Sequence, residues 1–251
     1  MSVSGKTIDE LLDQVEASYR EDNPERRVQA LNSIAQVAFD NAYDTGEDSS
    51  AVAFTEEAFA PKIQAFYGEK NNEVDLDRWR EEFSDIEGES GVFHIPATGS
   101  APYEYLRSCF SVLEEEYDQV VGVHSGGLAP LYAVEDLYDG DSVVLRYSHR
   151  DRDDQAVQIT PEMSERADFQ DSDVLILDDV VESGETLRKT GEYILDEGAN
   201  SVDAIPVRTS MWDMSHDIEM LDLKEGGVKY RIVDYEQKKD YENEGLSLVQ
   251  Q

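Results

Sequence analysis

The feature that most constrains this chain is a change of rhythm at about Gly91. From there on, short continuous runs of Val, Ile and Leu recur, and helical patterns alternate with them. QVVGVHSGG, DSVVLRYS, DVLILDDV, SVDAIPVRT and KYRIVDY read as strands, and YEYLRSCFSVLEEEY, LAPLYAVEDLY and GETLRKTGEYILDEGA as helices. Strands buried on both faces carry such uninterrupted apolar runs, and strands that alternate with helices pair in parallel. The expected fold class is α/β, a mainly parallel sheet flanked by helices. Before Gly91 the pattern is helical from Thr7 to about Ile86, and no strand is convincing there. It begins with TIDELLDQVEASYR and continues with PERRVQALNSIAQVAFDNAY, where Val28, Leu31, Ile34 and Ala38 follow at spacings of three and four. TEEAFAPKIQAFYG then opens at Thr55 with acids in its first turn, and DLDRWREEF closes the series. The expected organisation is a helical region over 1–90, an α/β domain over 91–235 and a polar tail over 236–251. The helices could serve as a hood over a site, a dimer surface or a partner-binding module.

Acidity narrows the partners. The 57 Asp and Glu against 21 Lys and Arg give a formal net charge of -36 at pH 7, yet 39% of the residues are hydrophobic, enough for a packed core. The acids are scattered along helices and turns (Glu114, Glu115, Glu116, Asp151, Asp153, Asp154). This is the pattern of a halophile's protein, whose carboxylate coat stays hydrated in concentrated salt and repels itself when salt is withdrawn. Binding a phosphate backbone needs a basic face, so no nucleic acid partner is expected. No apolar stretch approaches a membrane span, and MSVSGKTIDELLDQ has no apolar signal region, so a cytoplasmic protein with no membrane partner is expected. The single cysteine, Cys109, allows no intramolecular disulfide and no cysteine-based metal site, and reads as a buried thiol on a helix.

Ligands of open parallel sheets bind beyond the carboxyl ends of the strands, and three such ends carry chemistry here. After VVGV comes His124-Ser125-Gly126-Gly127, either an ordinary tight turn or a loop whose N–H groups approach an anion, with a helix start behind it. After VVLRYS comes SHRDRDDQ, where Arg146, His149, Arg150 and Arg152 cluster in a chain short of cations. They form an anion-gripping loop, or they pair with Asp151, Asp153 and Asp154 on a solvated one. The third end is VLILDDVVESGETL, residues Val174 to Leu187. Asp178 and Asp179 are expected to finish a strand. Glu182, Ser183, Gly184, Glu185 and Thr186 then turn into a helix whose first N–H groups, with two hydroxyls, form a nest for phosphate. The acid pair suits vicinal hydroxyls or a hydrated Mg2+. No G-x-x-x-x-G-K-[ST], G-x-G-x-x-G or G-x-S-x-G occurs, which argues against a P-loop NTPase, a dinucleotide site and a hydrolase elbow.

VLILDDVVESGETL resembles the phosphoribosyl pyrophosphate (PRPP) binding motif of type I phosphoribosyltransferases: four apolar residues, two acids, two apolar residues, a variable residue, Ser or Thr, Gly, any residue, Thr. VVGVHSGGL resembles that family's pyrophosphate loop, and LRYSHRDRDDQ stands where its mobile catalytic loop lies. The resemblance spans about Gln119 to Tyr235 and is nearest to the hypoxanthine-guanine and xanthine-guanine enzymes. It implies a transferase moving ribose 5-phosphate from PRPP to a nucleobase, with pyrophosphate released. Asp178 and Asp179 would hold the ribose hydroxyls and Mg2+, and Ser183, Gly184, Glu185 and Thr186 the 5′-phosphate. Ser125, Gly126 and Gly127, with Arg146, Arg150 and Arg152 closing over the site, would grip the pyrophosphate. Glu182 would act as general acid or base at the base's N7, and a homodimer is expected.

The chain departs from the family's pattern at three positions. Ser125 stands where a Lys or Arg is usual, Glu182 where Asp is usual, and Val207, beside Arg208, where the 6-oxopurine enzymes carry Lys. The acceptor is therefore open, with Trp212 and Tyr235 available either to stack on a base or to pack. A non-catalytic PRPP or nucleotide sensor, using the helical region for a protein partner, is the alternative reading.

Overall fold

The computed structural model describes residues 5–65, 73–86, 88, 106, 107, 110, 117–147, 156–181, 184–209 and 228–230. Its N-terminal part is helical for local reasons. In α1 (Ile8–Arg20) the Thr7 side chain accepts the Glu10 N–H while Glu10 reaches back to the Thr7 N–H, a reciprocal cap. Ile8, Leu11, Leu12 and Val15 fall on one buried stripe. α2 (Pro24–Thr45) starts under an Asn23 cap with Pro at its first position, stops at Gly46, and buries Leu31, Ile34, Ala35, Ala38, Phe39 and Ala42. Truncating the fully buried Phe39 to Ala would cost about 3–5 kcal/mol.

The third helix differs from the expected one. It starts at Ser49, not Thr55, because Ala51, Val52 and Phe54 continue the buried stripe of the residues that follow. It then runs as α3 (Ser49–Phe54), a π-helical turn (Thr55–Phe59) and α4 (Ala60–Ala65). Pro61 has no N–H to give the preceding turn and its ring crowds the carbonyl four residues back, and the widened turn lies directly ahead of it. α5 (Leu76–Glu82) follows under an Asp75 cap.

The second part is the expected α/β layer. Its strands are β1 (Gln119–His124), β2 (Ser142–Arg146), β3 (Gln158–Ile159), β4 (Asp173–Val181), β5 (Ser201–Thr209) and β6 (Val228–Tyr230), in the sheet order β3-β2-β1-β4-β5-β6. Every neighbouring pair is parallel except β2 with β3. Val120, Val121, Val143, Val144, Leu175, Ile176, Val202 and Ala204 are all buried, so both sheet faces are covered. α6 (Leu128–Val134) packs on β1 and β4 and carries α2, the π turn and α4 on its other side. α7 (Pro161–Arg166) packs on β2, and α8 (Glu185–Asp196) on β1, β4, β5 and β6.

β3 and α7 have no counterpart in the sequence reading: two residues are too few to show a period, and α7 has a single buried residue, Met163. Of the helix expected over YEYLRSCFSVLEEEY, Leu106, Arg107 and Phe110 are helical, with Leu106 and Phe110 fully buried. Tyr117 lies beyond that helix and donates its hydroxyl to Asp203 at 2.8 Å. Cys109, the tail over 236–251 and the expected strand beyond Tyr230 lie outside the described residues.

Candidate functional site

β4 does not end at the acid pair as expected; it continues to Val181, held on one side by Val180↔Arg208 and Val181↔Thr209 of β5. On its other side, pairing with β1 stops at Gly122↔Leu177. From Asp178 onward one edge of β4 is therefore released from its neighbour, because β1 turns away through Ser125-Gly126-Gly127 into α6.

That turn lies directly on the acid pair. A Cβ at residue 126 would collide with the carboxylates of both Asp178 and Asp179, and one at residue 127 with the Leu177 carbonyl and the Val123 backbone. Only glycine lets the loop approach so closely. Asp178 is buried and accepts the Asp179 N–H at 2.9 Å. Burial, and then the neighbouring Asp179 carboxylate, push the Asp178 carboxyl well above the usual carboxylate range.

A third element meets these two. Gly184 adopts φ 73°, left-handed backbone that favours glycine, and delivers the chain into α8, where Glu185 occupies the first turn and Thr186 is half-buried. Tyr147, the residue after β2, donates its hydroxyl to Glu185 at 3.4 Å and so ties the end of β2 to the start of α8. Burial, and then Glu185, raise this phenol above its ordinary value.

α2 forms a wall beside the 125–127 loop. Gln36 donates from its side-chain amide to the Ser125 carbonyl at 3.3 Å, and its backbone carbonyl accepts from the His124 ring at 3.2 Å. His124 is buried against Phe39 and Tyr43, and its burial holds the imidazole below its ordinary value despite Asp40 at 3.9 Å. Tyr43 donates to the Val144 carbonyl at 3.2 Å. Arg146 turns toward this helix: its guanidinium lies 3.6 Å from Asp40 and 3.9 Å from Asp44, with the Tyr43 ring centre 5.4 Å away.

The sequence-derived candidates thus divide. Ser125, Gly126, Gly127, Asp178, Asp179, Gly184, Glu185 and Thr186 belong to segments that adjoin at one end of the sheet. Arg146 is at the same end but engages α2. Arg150, Arg152, Glu182, Ser183, His149, Trp212 and Tyr235 lie outside the described residues, and Val207 is buried in β5. Sequence reasoning missed Gln36, Asp40, Tyr43 and Tyr147. The signal for the first was the interruption of an apolar stripe: Asn32 and Gln36, one turn apart, are both buried on α2. Among the described residues, no group of three or more His, Cys, Asp and Glu is placed to hold a metal. No helix among them is long and apolar enough to cross a membrane.

This architecture, a mainly parallel sheet with an acid pair, a glycine loop and a glycine-opened helix at one end, defines an open α/β domain of the class whose ligand sites lie beyond the strands' carboxyl ends. Residues 94–211 match the family model described as the phosphoribosyl transferase domain, the family to which the sequence resemblance pointed. No curated protein matches the chain. Among solved structures it is similar to a purine phosphoribosyltransferase from Pyrococcus horikoshii Ot3, with 22% identity, 44% of this chain and 79% of the other covered, and a TM-score of 0.34. An orotate phosphoribosyltransferase from Aeropyrum pernix is similar at 19% identity, covering 58% of this chain and 75% of the other, with a TM-score of 0.41. The Mycobacterium tuberculosis H37Rv orotate phosphoribosyltransferase, solved in complex with PRPP, is similar at 17% identity, covering 54% and 73%, with a TM-score of 0.34.

Proposed function

We propose that the protein transfers the 5-phosphoribosyl group of PRPP to a ring nitrogen of a nucleobase or related acceptor. The bond from ribose C1 to pyrophosphate oxygen breaks, pyrophosphate leaves with the electron pair, C1 bonds to nitrogen, and the acceptor's proton passes to a base. The observation that carries this reading is the seat of Gly126 on the Asp178–Asp179 pair. It brings the N–H groups suited to a pyrophosphate beside the carboxylates suited to ribose hydroxyls.

In this reading Asp178 and Asp179 orient the sugar and favour the positive charge that develops at C1 as its bond to oxygen lengthens. The first turn of α8, with Ser183, Gly184, Glu185 and Thr186, holds the 5′-phosphate. Arg150 and Arg152 close over the leaving group and exclude water, and Glu182 takes or returns the acceptor's proton. The acid pair fits Mg2+, because two adjacent carboxylates, one of them buried and driven toward its neutral form, gain from a divalent ion that needs only one or two protein ligands beside substrate oxygens. Bound there, Mg2+ would supply positive charge against the leaving group. Assembly as a homodimer belongs to the same proposal and is checked by molar mass in concentrated salt.

Two observations favour a second reading, a PRPP-binding regulator without turnover. Ser125 supplies no cation at the glycine loop, and Arg146 is engaged by Asp40 and Asp44. Incubation with PRPP, Mg2+ and a panel of purine and pyrimidine bases in concentrated salt, with pyrophosphate release as the readout, separates the two. Release with at least one base supports transfer, and PRPP binding without release for any base supports the regulator.

A further inference from the structure

Most of the cations whose side chains are described lie against a carboxylate. Arg20, Arg26, Arg78, Arg80, Arg107, Arg146, Arg166, Arg188 and Lys189 each pair with a carboxylate. Arg27 and Lys62 do not, although the chain has 57 carboxylates to offer. Both are buried, at 7% and 6% exposure, and the Arg27 Nε and Lys62 Nζ atoms have no hydrogen-bond partner. They also sit together. The Arg27 guanidinium lies 3.7 Å from the centre of the Tyr19 ring and the Lys62 ammonium 5.7 Å from the same centre. The place is where the end of α1, the first turn of α2 and α4 meet, remote from the acid pair.

Burying two like charges without a counter-charge is costly, and the face of one tyrosine offsets only part of that cost. The strain registers on Lys62, held below its ordinary value by burial first and Arg27 second. Arg27, Lys62 and Tyr19 each have a donor to give. Arg27 offers Nε–H, while its Nη2 donates to the Ser18 carbonyl at 3.4 Å. Lys62 offers its three N–H bonds. The Tyr19 oxygen already accepts the Val74 N–H at 3.1 Å, which leaves its own O–H to give. Glu73 acts on Lys62 from a distance and forms no ion pair with it.

We propose that Arg27, Lys62 and Tyr19 form a binding site for a small oxyanion, a phosphate or a carboxylate, in the helical region and separate from the acid-pair site. An arginine and an ammonium held against one ring, with that ring's own hydroxyl, can match the several acceptor oxygens of such a group. The acidic coat does not bar its entry where the chain's expected environment is saline, since at 1 M salt the reach of a surface charge shrinks to about 3 Å. Arg27 and Gln36 share α2, nine residues and so about 14 Å apart along its axis. The helix that bears the oxyanion site is therefore also the helix that holds the Ser125 loop.

Thermal unfolding at fixed ionic strength, with inorganic phosphate or acetate replacing chloride, tests this on the wild type, Lys62→Met and Lys62→Arg. For the wild type the unfolding temperature should rise with phosphate, acetate or both and saturate. Lys62→Met should be more stable than the wild type in chloride alone, having lost an uncompensated charge. It should need at least tenfold more oxyanion for the same rise, and Lys62→Arg should restore the response. Phosphate alone marks a phosphate site, and acetate alone a carboxylate site. An equal rise in wild type and Lys62→Met, or no saturable rise over chloride with either anion, overturns the proposal. If Lys62→Met does not fold, Arg27→Lys, which keeps the charge but loses the Nε–H, should weaken the response several-fold, and an unchanged response sinks the idea.

Discussion

The helical region and the sheet region of this molecule are organised by different physics, and their meeting is where they instruct each other. Every helix from α1 to α5 can be accounted for by a cap, a stripe or a proline: Thr7 and Glu10, Asn23 and Pro24, Asp75, Pro61. The sheet is accounted for by apolar runs, and its chemistry by where those runs lose their neighbours, as β4 loses β1 at Leu177. Neither rule alone explains the loop at Ser125, which the sheet presses onto Asp178 and Asp179 and α2 holds through Gln36. The lesson is that α2 is part of the wall of the candidate site.

The largest effect should come from the sheet side. Asp179→Asn should lower pyrophosphate release by on the order of 10²–10³-fold, because it removes charge placed against the developing positive centre. Steady-state assays at saturating PRPP would check this, and a loss under tenfold would detach the acid pair from the chemistry.

The next effect comes from the seam. Glu135, in the 3-10 turn (Glu135–Leu137) after α6, faces Glu56 of the helical region, with Arg166 and Asp136 nearby; burial first, and Glu56 second, push its carboxyl up to about 7. The folded protein then holds this proton more tightly than the unfolded chain does. Stability should therefore fall as pH rises from the ordinary carboxylate range through about 7, and stay low above it. Glu135→Gln should flatten that slope and gain up to about 3 kcal/mol at pH 8 while changing little at pH 5. Denaturant unfolding at the two pH values measures it, and parallel curves for variant and wild type would mean the two regions do not meet there as described.

Gly126→Ala puts a methyl group against both carboxylates. It should cost about 1–3 kcal/mol of stability and weaken PRPP binding more than it slows turnover at saturation. A fully stable Gly126→Ala protein with unchanged KM for PRPP would remove the close approach from the account. The smallest effect belongs to α2. Gln36→Ala should cost about 1 kcal/mol and raise the KM for PRPP several-fold with kcat little changed, since it loosens the loop without touching the sugar. A fall in kcat at unchanged KM would assign Gln36 some other part.

How far the sequence could be read follows the same division. Caps and stripes are local, so α1, α2 and α5 were legible almost to the residue, and the places, though not the ends, of β1, β2 and β4 were legible from Val/Ile/Leu runs that have no helical alternative of that length. The Gly184 opening of α8 and the acid pair on β4 were legible because a motif of fixed spacing crosses them. Illegible were features that depend on distant partners. A two-residue strand such as β3 has no period, and the extension of β4 past Asp179 depends on β5 rather than on its own residues. Arg146 read as part of an anion-gripping loop or as a partner of Asp151, Asp153 and Asp154, because Asp40 and Asp44, which engage it, lie about a hundred residues earlier in the chain. Gln36 gave a weak sign of itself, as a polar residue on a stripe that should have been apolar.

The central claim, that the strand ends around Asp178 and Asp179 hold PRPP, is most directly tested by calorimetric titration of PRPP into the protein with Mg2+ in concentrated salt, wild type against Asp179→Asn. The expected result is one saturable site per chain in the wild type and loss of most of that affinity in the variant. PRPP binding of equal strength in both, or no binding to the wild type while it remains folded, would contradict it.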